Sequence, residues 1–279
     1  MNKTTVERVV FVLSLAVLAW LIGFVTSERR WFPSEYVLRA WHQAELLDAP
    51  AGPGYLHEPV YDRAGVRAVT PDRMQPGLTL ITSSWTADDT VPRPGLRLVD
   101  SEGDVVHRWV VDREEAFSAA PTQKRILSNV DIQGTHLFPD GDVLVNLEYA
   151  GTLRVDACGK TRWSLARGSH HSIARDDDGT FWIPGVSSEP TGGSPKHPDG
   201  FPGLRSAVYQ DRILRVSEDG EVLRSINVLD VLYANGLEWH LAEEDQTQSR
   251  DPTHLNDIDP LSAAMADEYP LFDDGDLLV

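Results

Sequence analysis

Two kinds of β-hairpin alternate from Leu96 to the end of the chain, and no other feature constrains the fold as strongly. The first kind is a strand, a D-x-x-G-like turn and a second strand. It runs from Leu96 to Trp109 around Asp100 and Gly103, from Leu153 to Trp163 around Asp156 and Gly159, and from Ile213 to Leu223 around Ser217 and Gly220. The second kind opens on a histidine and turns at Asp-Gly: His136 to Val145 around Asp140-Gly141, and His171 to Trp182 around Asp178-Gly179. A looser third copy joins His254 to the segment Asp274 to Val279. Glycine supplies the positive φ that such turns need, and the β-branched and aromatic flanks suit a pleated, half-buried surface.

One hairpin of each kind makes a four-stranded sheet. Asp100, Asp156 and Ser217 stand 56 and 61 residues apart, a blade period with loop insertions. The expected fold class is all-β: an incomplete β-propeller of four-stranded blades, with no helix of ordinary length after Leu78. Residues 78–279 hold roughly three and a half blades, fewer than the smallest ordinary propeller has. The chain stops inside an apolar strand at Leu277-Leu278-Val279, so a C-terminally truncated array is expected, inactive by itself, with an open edge available for homo-oligomer formation. Trp109 and Trp163, at equivalent hairpin ends, are read as blade packing.

Ahead of the hairpins, Val9 to Val25 is a run of seventeen uncharged residues between Arg8 and the Glu28-Arg29-Arg30 cluster. No small-residue cleavage site follows it, which favours an uncleaved transmembrane anchor over a signal peptide. Flanking charges are balanced, so they do not set orientation. A short N-terminal tail before a single span usually stays inside, which places residues from about 31 onward outside the cytoplasm. The expected organisation is an anchor with its flanks over 1–30, a juxtamembrane connector over 31–77 with one short helix from Ser34 to Leu47, and the β array over 78–279.

Charge narrows the function. Lys plus Arg number 25 against 43 Asp plus Glu, a formal net charge of −18; tracking a phosphate backbone needs clustered cations, so nucleic acid is excluded as an expected partner. From Ala242 to Val279 eleven residues are acidic and only Arg250 is basic. Cys158 is the sole cysteine, so no intrachain disulfide and no thiolate-rich metal cage can form.

Nine histidines turn attention to imidazole chemistry. The first strand of a propeller blade lines the central channel, so His136, His171 and His254 would converge from successive blades, unless each is an ordinary strand-start residue held by a turn. His136, preceded by Gly134-Thr135, suits the structural role better. Adjacent His170-His171 and the polar run Asp251-Pro252-Thr253-His254-Leu255-Asn256-Asp257 are demanded by no turn. Asp257-Ile258-Asp259 and Asp176-Asp177-Asp178 fit no EF-type calcium loop, and the second is a hairpin turn. Zinc on the histidines would need His136 as third ligand, and no groups to orient the ligating rings are evident in the sequence. His197, in the Pro- and Gly-rich loop from Ser187 to Leu204, is read as solvated.

Ser169-His170-His171-Ser172-Ile173 followed by Asp-Gly, and Thr253-His254-Leu255-Asn256-Asp257-Ile258 followed by Gly275-Asp276-Leu277-Leu278-Val279, resemble two signature strands of the bacterial arylsulfotransferase family. The resemblance covers about residues 78–279. Because the family is bacterial, it implies that the side outside the cytoplasm is the periplasmic face of an inner membrane. It implies an exported six-bladed propeller that moves a sulfuryl group from a phenolic sulfate ester to another phenol through a sulfated histidine, with no nucleotide donor and no cofactor. It matches His171, with His170 as the alternative register, to the family's first active-site histidine and His254 to the second. It further implies an arginine just after the Gly275–Val279 strand and a later nucleophilic histidine, both beyond Val279.

A sulfate monoester carries one negative charge, and its transfer passes through a loose SO₃-like state that positioned donors stabilise. Imidazole can donate, accept or shuttle a proton near neutrality. His171 and His254 are therefore expected as sulfuryl-oxygen donors or acid/base groups, and Asn256 as a residue that orients His254 or donates to substrate. The alternative is a non-catalytic, membrane-anchored module that presents the same loops to a cell-envelope partner.

Overall fold

The computed structural model describes residues 3–28, 70–85, 93–112, 116–117, 132–242 and 250–279. The chain divides into two units, Met1–Glu58 and Pro59–Val279. In the first, α1 spans Lys3–Glu28. Its segment Thr5–Thr26 is apolar over 22 residues, about 33 Å of helix, enough to cross a bilayer core. Phe11, Trp20 and Phe24 on it are exposed among the described residues, and the helix stands as a candidate membrane span or signal anchor. The helix expected from Ser34 to Leu47 lies outside the described residues.

The second unit is mostly antiparallel sheet. β1 (Thr79–Trp85), β2 (Arg93–Val99) and β3 (Val105–Val110) form a three-stranded sheet. β4 (Ile132–Leu137), β5 (Val143–Leu147), β6 (Gly151–Val155) and β7 (Thr161–Leu165) form a four-stranded meander. β8 (Ala174–Arg175), β9 (Phe181–Val186), β10 (Asp211–Val216) and β11 (Val222–Asn227) form another. β12 (Asp259–Pro260) pairs with β13 (Leu277–Leu278). All three D-x-x-G-like hairpins form where the turn pattern places them, as β2–β3, β6–β7 and β10–β11. Helices in this unit are short: α2 (Val228–Ala234), capped by the Asn227 side chain, and α3 (Ala263–Ala266), capped by Ser262.

Every residue of β5, β6 and β9 is buried, whereas β7 alternates half-buried with exposed. The cause is stacking of sheet on sheet. Val143, Val145 and Leu147 of β5 pack with Leu96 and Trp109 of the first sheet. Leu144, on the opposite face of the same strand, packs with Phe181, Ile183 and Leu214 of the next sheet, as the period-two geometry of a strand requires. Trp182 and Ile213 then meet Leu255 and Ile258 ahead of β12. Polar ties cross the same boundary. Arg154 on β6 pairs with Asp142 at 2.8 Å and with Glu218 of the β10–β11 turn at 3.1 Å. Trp163 donates its indole N–H to the Glu218 carbonyl and leaves no room for a side chain at Gly220, where a Cβ would lie 2.6 Å from its ring.

Candidate functional site

Neither histidine motif lies in a strand. His170, His171 and Ser172 occupy the irregular segment between β7 and β8, and His254 lies in the loop that precedes β12. The backbone at both is left-handed, with φ of +49° at His171 and +40° at His254. A residue with a Cβ is disfavoured there, so each must be held by its surroundings.

The hold on His171 comes from β4 and β5. Asn146, fully buried in the middle of β5, directs its side-chain amide at the carbonyls of His170, His171 and Ser172, at 3.2, 3.2 and 2.9 Å. Its own Oδ1 accepts from the Thr152 hydroxyl at 2.6 Å, which fixes the amide orientation. The backbone N–H of His171 donates to Gln133 Oε1 at 2.6 Å. Gly134 is required beside it: a Cβ there would come within 2.2 Å of the His171 carbonyl oxygen.

The hold on His254 comes from Asp211, which opens β10. Its Oδ2 accepts from the Thr253 hydroxyl at 2.6 Å and from the Leu255 N–H at 2.9 Å. The two motifs are also joined directly, because Ser172 donates its N–H to the Asn256 carbonyl and its Oγ accepts from the Ile258 N–H.

With both backbones set, the rings meet. His171 stands edge to face against His254, centroids 5.3 Å apart, and His170 packs against His171 at 5.1 Å. Nδ1 of His254 lies 2.8 Å from Oδ2 of the buried Asp251. His170 is almost fully buried; its Nδ1 donates to the Gly168 carbonyl at 3.0 Å, and its Nε2 lies 3.8 Å from Asp211. Because a carbonyl only accepts, that hydrogen bond requires the proton on Nδ1 of His170. Burial pushes the His170 imidazole below its ordinary range and the Asp211 carboxyl above its own. Both shifts disfavour charge in this pair. Burial, then the neighbouring His170 and His254, also push His171 down. Nε2 of His171 and Oγ of Ser169 are buried with no hydrogen-bond partner among the described residues, and an orphaned buried polar atom calls for a role.

Of the residues singled out by sequence, His170, His171 and His254 come together. Asn256 is exposed and turns its amide to the carbonyl of His254 at 3.1 Å, so it shapes the loop backbone. His136 does not join the cluster by ring contact; it packs edge-on against Phe138 and Phe181, at 4.8 and 5.2 Å, within the stacked sheets. Asp176 and Asp178 are engaged by Arg215, as turn residues. His197 departs from its expected solvated place: it is half-buried between Phe201 and Tyr233, with Nδ1 3.2 Å from Asp230. Asn146, Gln133 and Asp211 were not singled out, and Asp251 stood only as the first residue of the polar run around His254. A polar residue inside the apolar run Val143–Leu147 was the available signal for Asn146, and an aspartate three residues ahead of His254 was the signal for Asp251.

Among solved structures, the chain is similar to a protein of unknown function from Bacteroides caccae, at 9% identity and a TM-score of 0.27, with 55% of this chain and 58% of that one covered. The match thus spans less than two thirds of that structure. No curated protein matches. The family model for arylsulfotransferase (ASST) matches residues 134–279, which contain both histidine motifs together with Asn146, Asp211 and Asp251. This is more than half of the chain, and the protein belongs to the arylsulfotransferase family.

Proposed function

We propose that the protein serves nucleotide-independent sulfuryl transfer from a phenolic sulfate ester to a phenol, with His171 and His254 facing the reacting group. The observation that carries this reading is the ring contact between His171 and His254, built from two separate hairpin units. In the donor half-reaction the S–O bond to the leaving phenolate breaks as an S–N bond forms to the family's nucleophilic histidine. The second half reverses this with a new phenol. Charge spreads over the non-bridging sulfuryl oxygens and the leaving oxygen, where a preorganised N–H contributes most. His171, disfavoured from taking a proton by burial, suits a neutral donor to a sulfuryl oxygen; His254, half-exposed, suits proton exchange with the phenols.

The face-to-face sheets support a propeller of four-stranded blades, and α1 supports anchoring in an inner membrane with the β unit on the periplasmic side. The test is transfer from a chromogenic aryl sulfate to phenol, without nucleotide, by the gene product that contains these residues. Loss on replacing His171 and His254 together by Ala is expected. Full turnover in that double variant overturns the reading, and a stable cell-envelope partner with no turnover of any aryl sulfate favours a binding module.

A further inference from the structure

We infer that Asp251 is a positioning residue that holds His254 with its proton on Nδ1 and so presents Nε2 as the base for the acceptor phenol. The inference rests on the proposed sulfuryl transfer and adds to it the partner that sets one histidine's tautomer.

The backbone on both sides of the pair is pinned independently of the pair itself. Tyr209 donates its N–H to the Arg250 carbonyl at 2.7 Å, and Asp211 accepts from Thr253 and Leu255. Asp251, at 3% side-chain exposure, lies inside this frame, whereas the His254 side chain is 51% exposed. Among the described residues, the other contact to that ring is its edge against His171. The Nδ1 to Oδ2 distance of 2.8 Å is that of a charge-assisted hydrogen bond. A carboxylate only accepts, so the nitrogen facing it must carry the proton, and in a neutral imidazole the other nitrogen is then bare. Among the described residues, the ionisable groups that act electrostatically on this pair include His171 and His170, from the segment ahead of β8, and Asp211 of β10.

The proton balance closes over one cycle. In the acceptor half-reaction the phenol O–H breaks and its proton moves to Nε2 of His254. The phenol oxygen forms the new S–O bond, the S–N bond breaks, and its electron pair returns to the nucleophilic histidine. The imidazolium at His254 then gives that proton to the phenolate that departs from the next donor ester. Asp251 touches neither phenol; it acts through His254.

The experiment uses the full 279-residue chain in detergent micelles, labelled with ¹⁵N in the imidazoles. The spectrum is recorded above the ordinary imidazole range, so that the rings are neutral, and the His254 signals are assigned by their loss in His254→Gln. The expected result is a protonated Nδ1 and a bare Nε2. In Asp251→Asn the amide can turn its N–H₂ to the ring, and the proton is expected to move to Nε2, as occurs when a buried orienting aspartate beside a catalytic histidine becomes asparagine. A wild-type His254 protonated on Nε2 overturns the inference even if Asp251→Asn does not fold. In the transferring gene product Asp251→Asn should lower kcat by about tenfold or more with little change in KM. Transfer by the gene product that proceeds while His254 carries the wrong tautomer sinks the Asp251 role alone; the expected tautomer together with no transfer by that wild-type gene product sinks the sulfuryl-transfer reading and the base role with it.

Discussion

The imidazole of His171 meets that of His254 at an interplanar angle of 67° with both backbones in the left-handed region. Left-handed backbone at a non-glycine residue costs roughly 1 kcal/mol or more, and here it occurs at two residues whose side chains share one contact. The strain is borne by surrounding hydrogen bonds, because Asn146, Gln133 and Asp211 fasten the flanking backbone.

Relief of that strain separates stability from activity. His254 is half-exposed, so its removal sacrifices little packing. His254→Gly is expected to be more stable than His254→Ala by about 0.5–1 kcal/mol, because glycine accepts the positive φ. Both should lose transfer by about 10²-fold or more. Urea unfolding of the two variants measures the first difference, and aryl sulfate turnover the second; equal stabilities would show that the backbone is not strained at this site.

Asn146 should be intolerant of its closest analogue. Asn146→Asp keeps the shape but replaces an N–H₂ donor to three carbonyls by an acceptor-only group, and Asn146→Leu leaves those carbonyls without their donor. The leucine variant should cost about 1–3 kcal/mol and the aspartate variant more at neutral pH. Denaturant midpoints report both, and an Asp variant as stable as wild type would remove Asn146 from the frame of the His171 segment.

Mild acid should destabilise the β unit through the site. Folding holds the imidazoles of His170 and His171 below their ordinary value of 6.5, so below that value the unfolded chain binds more protons than the native one. Stability therefore falls as pH drops through this range toward the folded values. Asp211 acts in the opposite sense: its raised folded pKa means that stability is lost as pH rises from its ordinary 3.8 toward the folded value. Unfolding free energies between about pH 7 and pH 5 should show a decline that His170→Gln reduces. An unchanged slope in that variant would exclude His170 as its source.

Topology can be read at one sulfur. Cys158 is the sole cysteine of the sequence and is exposed on the turn between β6 and β7. If the β unit faces the periplasm, a membrane-impermeant maleimide should label it once the outer membrane is permeable and the inner membrane intact. Labelling that appears only after the inner membrane is broken would place the β unit on the other side.

The hairpins were legible in the sequence because each is local: the turn at Asp156 to Gly159 and the strands on either side of it lie within a few residues of one another. His170-His171 and His254 stood out because no turn requires them. What tertiary structure decided is which groups hold them. Asn146 reaches across from β5, Gln133 from β4 and Asp211 from β10, and none of these distances is encoded in a turn or a period. They arise only when the sheets stack, and stacking depends on the summed burial of residues such as Leu144 and Phe181, each of which is chemically ordinary alone. Even His136, which shares its hairpin pattern with His171, ends among aromatic rings because the next sheet brings Phe181 to it. Hairpin pattern is a property of adjacent residues, whereas the site is a property of packed faces.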